Sequence, residues 1–358
     1  MPQVEVRSSS FGRTTDGTRV DRYELIADDG SGVAVLTLGT AVSEVRVPDR
    51  EGRIANVVLA HPDLSGYERN DPYFGVVVGR CANRIAGARF ELDGRTVRLP
   101  ANEGPNHLHG GPDGFHARVW EAEAETGPGE AAVVLRRVSP DGEAGYPGRL
   151  EATVRIAWSV RHELRVTCEA RCDAATLANL THHGSWNLAG EGSGGVDRHR
   201  LSVHADAYLA VDEALLPTGE IAPVAGTPLD LRAGPEIGPA VRSGHRQIRL
   251  ANGIDHAFVL DAAQGVRPVA RLEDPGTGRG MTVHSDQRSL QVYTGNALDG
   301  RLVGPSGRAY RQGDGVALEA QGFPDAPHHP AFPSSVLRPG ETYLNETVFA
   351  FDVGARSS

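Results

Sequence analysis

An apolar residue at every second position is the feature that most constrains the fold of this chain. From Leu150 to Val160 the residues at alternate positions are apolar and most of those between them are polar, and the pattern returns from Leu164 to Cys172. Successive side chains of a strand point to opposite faces, so each stretch has one face suited to a core. We therefore predict two long antiparallel strands joined by a short connection.

Shorter stretches with the same period occur along the rest of the chain. A hairpin is predicted around Asp93-Gly94, where apolar alternation on both sides meets a strong turn signal. No segment keeps a 3.6-residue apolar period for three unbroken turns, and no repeat or low-complexity linker divides the sequence. We predict one domain over residues 1–358 with an all-β, antiparallel fold, a sandwich rather than a closed barrel. Further strands are predicted at Val33–Leu38, Leu201–Leu209, Leu290–Thr294 and Thr347–Val353.

Charge and residue types exclude several classes of function. The net charge is −10, whereas a nucleic-acid-binding protein needs a basic surface. All cationic side chains other than His are Arg, and the absence of Lys excludes a Schiff-base lysine and a GK[ST] phosphate loop. Residues 1–5 lack the character of a signal peptide, and no apolar run approaches the roughly 18 residues that span a bilayer. We expect a cytoplasmic protein without a nucleic-acid or membrane partner.

The stretch Thr181–Asn187 contains two neighbouring histidines that could exchange protons near neutral pH. If it is extended, His183, Ser185 and Asn187 share one face, while His182 and Trp186 share the other. Only one of the two histidines can therefore point into a given site. A purely structural histidine pair is the alternative.

Glu319 follows the apolar run Val316-Ala317-Leu318 and shares a predicted strand face with Gln321. A carboxylate buried there would resist ionisation and would accept a proton better than a solvated one. A solvent-exposed glutamate on an edge strand is the other interpretation.

Three more polar stretches could hold a ligand. Arg84, in the segment 79–87, could bind a ligand oxygen through its planar guanidinium or could make an ordinary backbone bond at the surface. His107 and His109 would share one face of a strand with the spacing of metal ligands, but no third ligand has convincing spacing, so we predict no metal. Asp255 could cap a turn or accept hydrogen bonds from sugar hydroxyls.

Together these stretches resemble the aldose 1-epimerase, or galactose mutarotase, family. The resemblance runs from about Gly79 to Tyr343, and the motifs occur in the family's order. Its most specific motifs are Asn106-x-Leu108-His109-Gly110-Gly111, Thr181-x-His183 with Asn187-Leu188, and Glu319-x-Gln321 with Pro324-Asp325-Ala326. The resemblance implies a large antiparallel β-supersandwich with an open cleft for a free hexose.

By motif match, the resemblance places Glu319 at the family's general base and His183 at its general acid. His109 matches the second active-site histidine, and no metal or organic cofactor is implied. We expect the carboxylate to raise the pKa of His183, which would widen the pH range in which base and acid coexist. Sugar contacts are predicted for Arg84, Asp255, Asn83, Tyr293 and Gln321.

The sequence departs from the family pattern at three places, which bear on the sugar preference. His182 replaces the usual Asn, Ser185-Trp186 replaces an aromatic pair, and His328 replaces the Asn before His329. The predicted protein is a monomer or weak homodimer with a small sugar as its partner.

The predicted activity interconverts the α and β anomers of free aldohexoses such as galactose or glucose. Two other functions stay open from the sequence. The first is a non-catalytic carbohydrate-binding domain on the same fold. The second is a metal-dependent enzyme that uses His107, His109, His182 and His183.

Overall fold

The computed structural model describes residues 3–261 and 265–354, and most of its elements are short strands. The first fifteen strands are β1 (Val4–Arg13), β2 (Arg19–Ala27), β3 (Gly32–Leu36), β4 (Val42–Pro48), β5 (Ile54–Asn56), β6 (Val77–Val78), β7 (Arg84–Ile85), β8 (Arg89–Leu92), β9 (Arg95–Arg98), β10 (His107–Leu108), β11 (Glu121–Gly127), β12 (Glu130–Ser139), β13 (Leu150–Ser159), β14 (Glu163–Cys172) and β15 (Thr176–Leu177). The others are β16 (Thr181–His182), β17 (Ser185–Trp186), β18 (Arg200–Val203), β19 (Ala207–Val211), β20 (Pro217–Pro223), β21 (Asp255–Val259), β22 (Arg267–Glu273), β23 (Arg279–Ser285), β24 (Ser289–Tyr293), β25 (Asp299–Val303), β26 (Ala309–Arg311), β27 (Val316–Gln321), β28 (Val336–Leu337) and β29 (Tyr343–Val353).

Three large sheets form the body of the fold. An eight-stranded sheet has the order β11-β12-β13-β14-β29-β23-β22-β18, and a six-stranded sheet has the order β17-β27-β24-β21-β19-β20. A five-stranded sheet contains β1 to β5 in sequence order. One apolar cluster includes Val35, Trp158 and Leu318, one residue from each sheet, so the three sheets pack around a shared core. The predicted antiparallel β-supersandwich is confirmed.

The two long strands read from the alternation are β13 and β14. They pair antiparallel from Leu150 opposite Cys172 to Trp158 opposite Leu164. The side chains of Val154, Trp158 and Leu164 are fully buried. Burial of each such side chain stabilises the fold by about 1.5–3 kcal/mol, which explains why this pattern is the clearest in the sequence.

The predicted hairpin is also present, as β8 and β9. Asp93 and Gly94 have φ angles of 49° and 77°, the left-handed values of a tight hairpin turn that favours Asp-Gly. The turn signal and the alternation on both sides together placed this pair of strands correctly.

The prediction of one strand over Leu201–Leu209 is wrong. The chain pairs as β18 in the eight-stranded sheet, turns at residues 204–206, and continues as β19 in the six-stranded sheet. The backbone N–H of Ala205 donates to the carbonyl of Val203 at this turn. Alternation continues on both sides of the turn, so the sequence pattern does not reveal the change of sheet.

Three short α-helices connect the strands, each too short for a three-turn apolar pattern. They are α1 (Leu64–Arg69), α2 (Ile237–Val241) and α3 (Arg246–Ala251). The side chain of Asp63 accepts a hydrogen bond from the N–H of Gly66 and so caps the start of α1. Throughout residues 3–261 and 265–354, no helix is long and apolar enough to cross a membrane.

Candidate active site

A cleft of about 450 Å³ opens beside three neighbouring strands of the six-stranded sheet, β21, β24 and β27. Each strand places one polar side chain in the cleft wall, and short strands and loops supply the others. Seven of the eight predicted site residues line this cleft, namely Asn83, Arg84, His109, His183, Asp255, Tyr293 and Glu319. The sheet thus brings together residues that are up to 236 positions apart in the sequence.

Glu319 lies in β27, which is flanked on both sides by other strands, so its side chain is only 2 % exposed. Within the described part of the chain its Oε2 atom has no hydrogen-bond partner. Burial raises the pKa of Glu319 well above its ordinary value, and the nearby Asp255 raises it further, against the lowering effect of Arg84. The solvent-exposed interpretation of Glu319 is therefore wrong.

His183 lies between β16 and β17, where the backbone holds it firmly. Its N–H donates to the carbonyl of Val76, and its carbonyl accepts from the N–H of Gly75. The Nε2 atom of its ring lies 3.6 Å from Oε1 of Glu319. Burial lowers the pKa of His183 to about 4. The expectation that the carboxylate would raise this pKa is wrong, because the loss of hydration on burial controls the shift.

The predicted separation of the two histidines is present. His182 and Trp186 point into the core, where their ring centroids lie 5.7 and 4.7 Å from that of Phe349. Ser185 lines the cleft beside the other histidine. Asn187 does not reach the cleft, since it is buried and its side-chain amide donates to two backbone carbonyls.

The expectation that His107 and His109 share a face is wrong. His109 has a φ of 52°, a left-handed value that breaks the alternation of a strand. Its ring lines the cleft, whereas the ring of His107 hydrogen-bonds the hydroxyl of Tyr146 and the carbonyl of Pro100 outside it.

The backbone also fixes the tautomer of His109. The N–H of Asn83 donates to Nδ1 of His109 at 3.1 Å, so the proton of the neutral ring is on Nε2. Burial, and then the nearby His183, lower the pKa of His109 well below its ordinary value. The ring is therefore a neutral hydrogen-bond donor to the cleft.

One group of side chains has the spacing of metal ligands, although it differs from the set considered from the sequence. Ligand atoms of His109, His183 and Glu319 all lie within 4.8 Å of one another. Nε2 of His109 carries a proton in the tautomer above, so this nitrogen is a donor rather than a ligand. His107 and His182 do not belong to the group, so the four-histidine metal site considered as an alternative is not assembled.

Arg84 and Asp255 form a polar wall of the cleft. The carboxylate of Glu103 accepts two hydrogen bonds from Arg84, each 2.7 Å long, and Nη1 of Arg84 lies 3.8 Å from Oδ2 of Asp255. The amide of Gln291 donates to Oδ1 of Asp255 at 2.6 Å. Burial raises the pKa of Asp255, while Arg84 and Gln291 counteract that effect. The wall offers donors and acceptors side by side, as hydroxyl groups require.

Of the other predicted sugar contacts, Tyr293 and Asn83 line the cleft and Gln321 does not. Burial raises the pKa of Tyr293 to about 12, so its phenol is protonated at neutral pH. Asn83 reaches the cleft wall, and its side-chain oxygen accepts from the N–H of Arg84. Gln321 is fully buried and lies outside the cleft lining, and among the described residues its amide has no hydrogen-bond partner.

The sequence-based prediction missed three residues at the site. Tyr73 packs against the two histidines of the cleft, with ring centroids 4.6 Å from His109 and 5.9 Å from His183. Glu103 and Gln291 hold the polar wall. Gln291 could have been found, because strand alternation places it on the same face as Tyr293, whereas the two loop residues have no periodic signal.

Comparison with known proteins gives a consistent result. The family model for aldose 1-epimerase matches residues 21–350. A galactose mutarotase from Bos taurus is 42% identical over 351 residues, covering 98% of this chain and 99% of the relative. An aldose 1-epimerase from Escherichia coli is 35% identical over 94% of this chain and 96% of the relative. The crystal structure of a galactose 1-epimerase from Lactobacillus acidophilus superimposes with a TM-score of 0.88 at 29% identity, covering 98% of this chain and all of that structure. The protein belongs to the aldose 1-epimerase family of sugar isomerases.

Proposed function

We propose that Glu319 and His183 interconvert the α and β anomers of a free aldohexose such as galactose or glucose. Glu319 removes the proton of the C1 hydroxyl while His183 protonates the ring oxygen. The C1–O5 bond breaks to give the open aldehyde, rotation about C1–C2 presents the other carbonyl face, and closure with reversed roles gives the second anomer. The observation that carries this proposal is the buried pair 3.6 Å apart in the wall of a sugar-sized cleft.

For this reaction Glu319 and His183 together must carry one ionisable proton, which each can hold in turn. Burial raises the pKa of Glu319 and lowers that of His183, which favours an uncharged carboxylic acid beside an uncharged imidazole. This state has the same number of protons as a carboxylate beside an imidazolium. We infer that a bound sugar shifts the proton to His183, because its C1 hydroxyl donates to the carboxylate and its ring oxygen accepts from the imidazolium.

The remaining residues hold the sugar in register. The Nε2–H of His109 can donate to the ring oxygen or to the C1 hydroxyl. Arg84 and Asp255 hydrogen-bond other hydroxyls of the sugar. They thereby hold C1 and the ring oxygen in position beside Glu319 and His183. A binding domain would not need a buried proton donor and acceptor, so these residues support an enzyme. A cytoplasmic location, a single domain and a monomeric or weakly dimeric state remain predictions.

The direct test is polarimetry of freshly dissolved α-galactose and α-glucose. We expect the optical rotation to reach its equilibrium value faster with the protein than in buffer alone. Treatment with a chelator should leave this rate unchanged. Sugar binding without faster equilibration would contradict the proposal, and loss of activity on chelation would favour a metal enzyme.

A further inference from the structure

Arg84 is a single cationic side chain among several carboxyl groups in the described lining of the cleft. Among the described residues that line the cleft it is the only Arg, and the sequence contains no Lys. Four carboxyl groups line the same cleft, those of Asp71, Glu103, Asp255 and Glu319. The electrostatic effect of Arg84 on a bound sugar therefore depends on which of these groups neutralises it.

Glu103 provides this neutralisation through a bidentate ion pair. Its two oxygens accept from Nε and Nη2 of Arg84, both at 2.7 Å. This geometry uses the two-pronged edge of the guanidinium, which is the edge that would otherwise bind a carboxylate or a phosphate. Nη1 remains beside Asp255, 3.8 Å from its nearer oxygen.

A tight turn holds Glu103 in place. Its backbone N–H donates to the carbonyl of Asn106, and its carbonyl accepts from the N–H of the same residue at 2.9 Å. The side-chain amide of Asn106 in turn accepts from the N–H of Gly87. The carboxylate is thus presented to Arg84 from a fixed backbone, although 36 % of its own side chain is exposed to solvent.

We propose that Glu103 is a specificity-determining residue that makes the cleft accept uncharged aldoses and reject those with a carboxylate or phosphate. A hydroxyl both donates and accepts, so it fits between Nη1 of Arg84 and the Asp255 carboxyl. An anionic group needs several donors and a local positive charge, whereas Glu103 occupies two donor nitrogens of Arg84 and offsets its charge. This inference rests on the proposed function for the location of the sugar.

The test compares galactose with galacturonate, which differ by a carboxylate at C6. Calorimetry gives the dissociation constant of each sugar, and polarimetry gives the turnover of galactose. We expect the wild-type protein to bind galactose more tightly than galacturonate. Glu103→Gln should bind galacturonate about fivefold to tenfold more tightly than wild type does, and the gain should shrink at high ionic strength. Glu103→Asp, which keeps the charge, should retain the wild-type preference.

Asp93→Asn is the matched control. Asp93 also forms a two-pronged ion pair, with Arg338, but it is exposed and lies outside the cleft lining, so this variant changes the net charge equally. The inference would be overturned if wild type bound both sugars equally, or if Glu103→Gln and the control altered galacturonate binding alike. Equal weakening of both sugars in Glu103→Gln would also overturn it, since Glu103 would then only position Arg84. If wild type failed to equilibrate galactose, the proposed function itself would fail.

Discussion

The Nε2 atom of His183 lies 3.6 Å from Oε1 of Glu319, and the two side chains are only 7 % and 2 % exposed. This distance is longer than a hydrogen bond, so the two groups are neighbours that do not hydrogen-bond each other. A hydroxyl or ring oxygen placed beside them can contact each in turn. The separation therefore suits two proton transfers to different atoms of one sugar.

The pH dependence of activity follows from the single proton that the pair shares. The pKa of His183 is lowered to about 4, so a second proton is added only as the pH falls through that value. The pKa of Glu319 is raised, so the shared proton is lost only as the pH rises well above the ordinary range of a carboxyl group. We expect kcat/KM to stay level from about pH 5 to about pH 7, where an ordinary histidine would titrate near 6.5.

Measurement of initial polarimetric rates across this range checks the prediction. The rate in buffer alone must be subtracted at each pH, because acids and bases also catalyse mutarotation in solution. A fall in kcat/KM on the acid side, centred near pH 6.5, would contradict the prediction. His183 would then titrate like a histidine in water.

Gln291 should affect sugar binding more than turnover. Its amide donates to Asp255, and Gln291→Met removes that donor while keeping the chain length. We expect KM for galactose to rise about threefold to tenfold, equivalent to about 1 kcal/mol, with kcat little changed. Gln287→Met is a matched control, because Gln287 donates to Asp286 outside the cleft lining. A fall in kcat alone would place Gln291 in the chemical step instead.

His182 should make the fold sensitive to acid. Burial lowers its pKa to about 3, so between pH 6.5 and 3 the unfolded chain binds a proton that the folded chain does not. Stability is therefore lost as the pH falls below 6.5. In His182→Asn, we expect the loss in unfolding free energy between about pH 7 and pH 5 to be smaller by about 1–2 kcal/mol.

Urea unfolding at both pH values measures this difference. The control is His204→Asn, since His204 is exposed. If the unfolding free energy depended on pH equally in the wild type and both variants, His182 would not be the source of the acid sensitivity.

The sequence predicted the sheet class and most of the site, because both depend on local patterns. Alternation over Leu150–Ser159 records which face is buried, and motif match located seven residues of the cleft wall. The alternation did not reveal that the chain changes sheets after Val203, because the pattern continues on both sides of the turn. The expected pairing of His107 with His109 failed because one left-handed residue reverses the direction of a side chain.

The resistance of a buried Glu319 to ionisation was predicted from the sequence, but the direction of the pKa shift of His183 was not. It depends on the balance between burial and the distance to an opposite charge. Both side chains are almost completely buried, and the loss of hydration is the largest cause of the pKa shift of each group. The sequence identifies the pair but not this distance.

In the proposed reaction Glu319 exchanges the C1 proton, and the Glu319→Gln variant is the sharpest test of that role. Glutamine keeps the size of the side chain but cannot accept a proton, so the polarimetric rate with α-galactose should fall at least about a hundredfold. Calorimetry should show galactose binding within a few fold of wild type, and Glu169→Gln, on the eight-stranded sheet outside the cleft lining, should have the wild-type rate. A Glu319→Gln protein that equilibrates the anomers as fast as wild type would show that Glu319 is not the base.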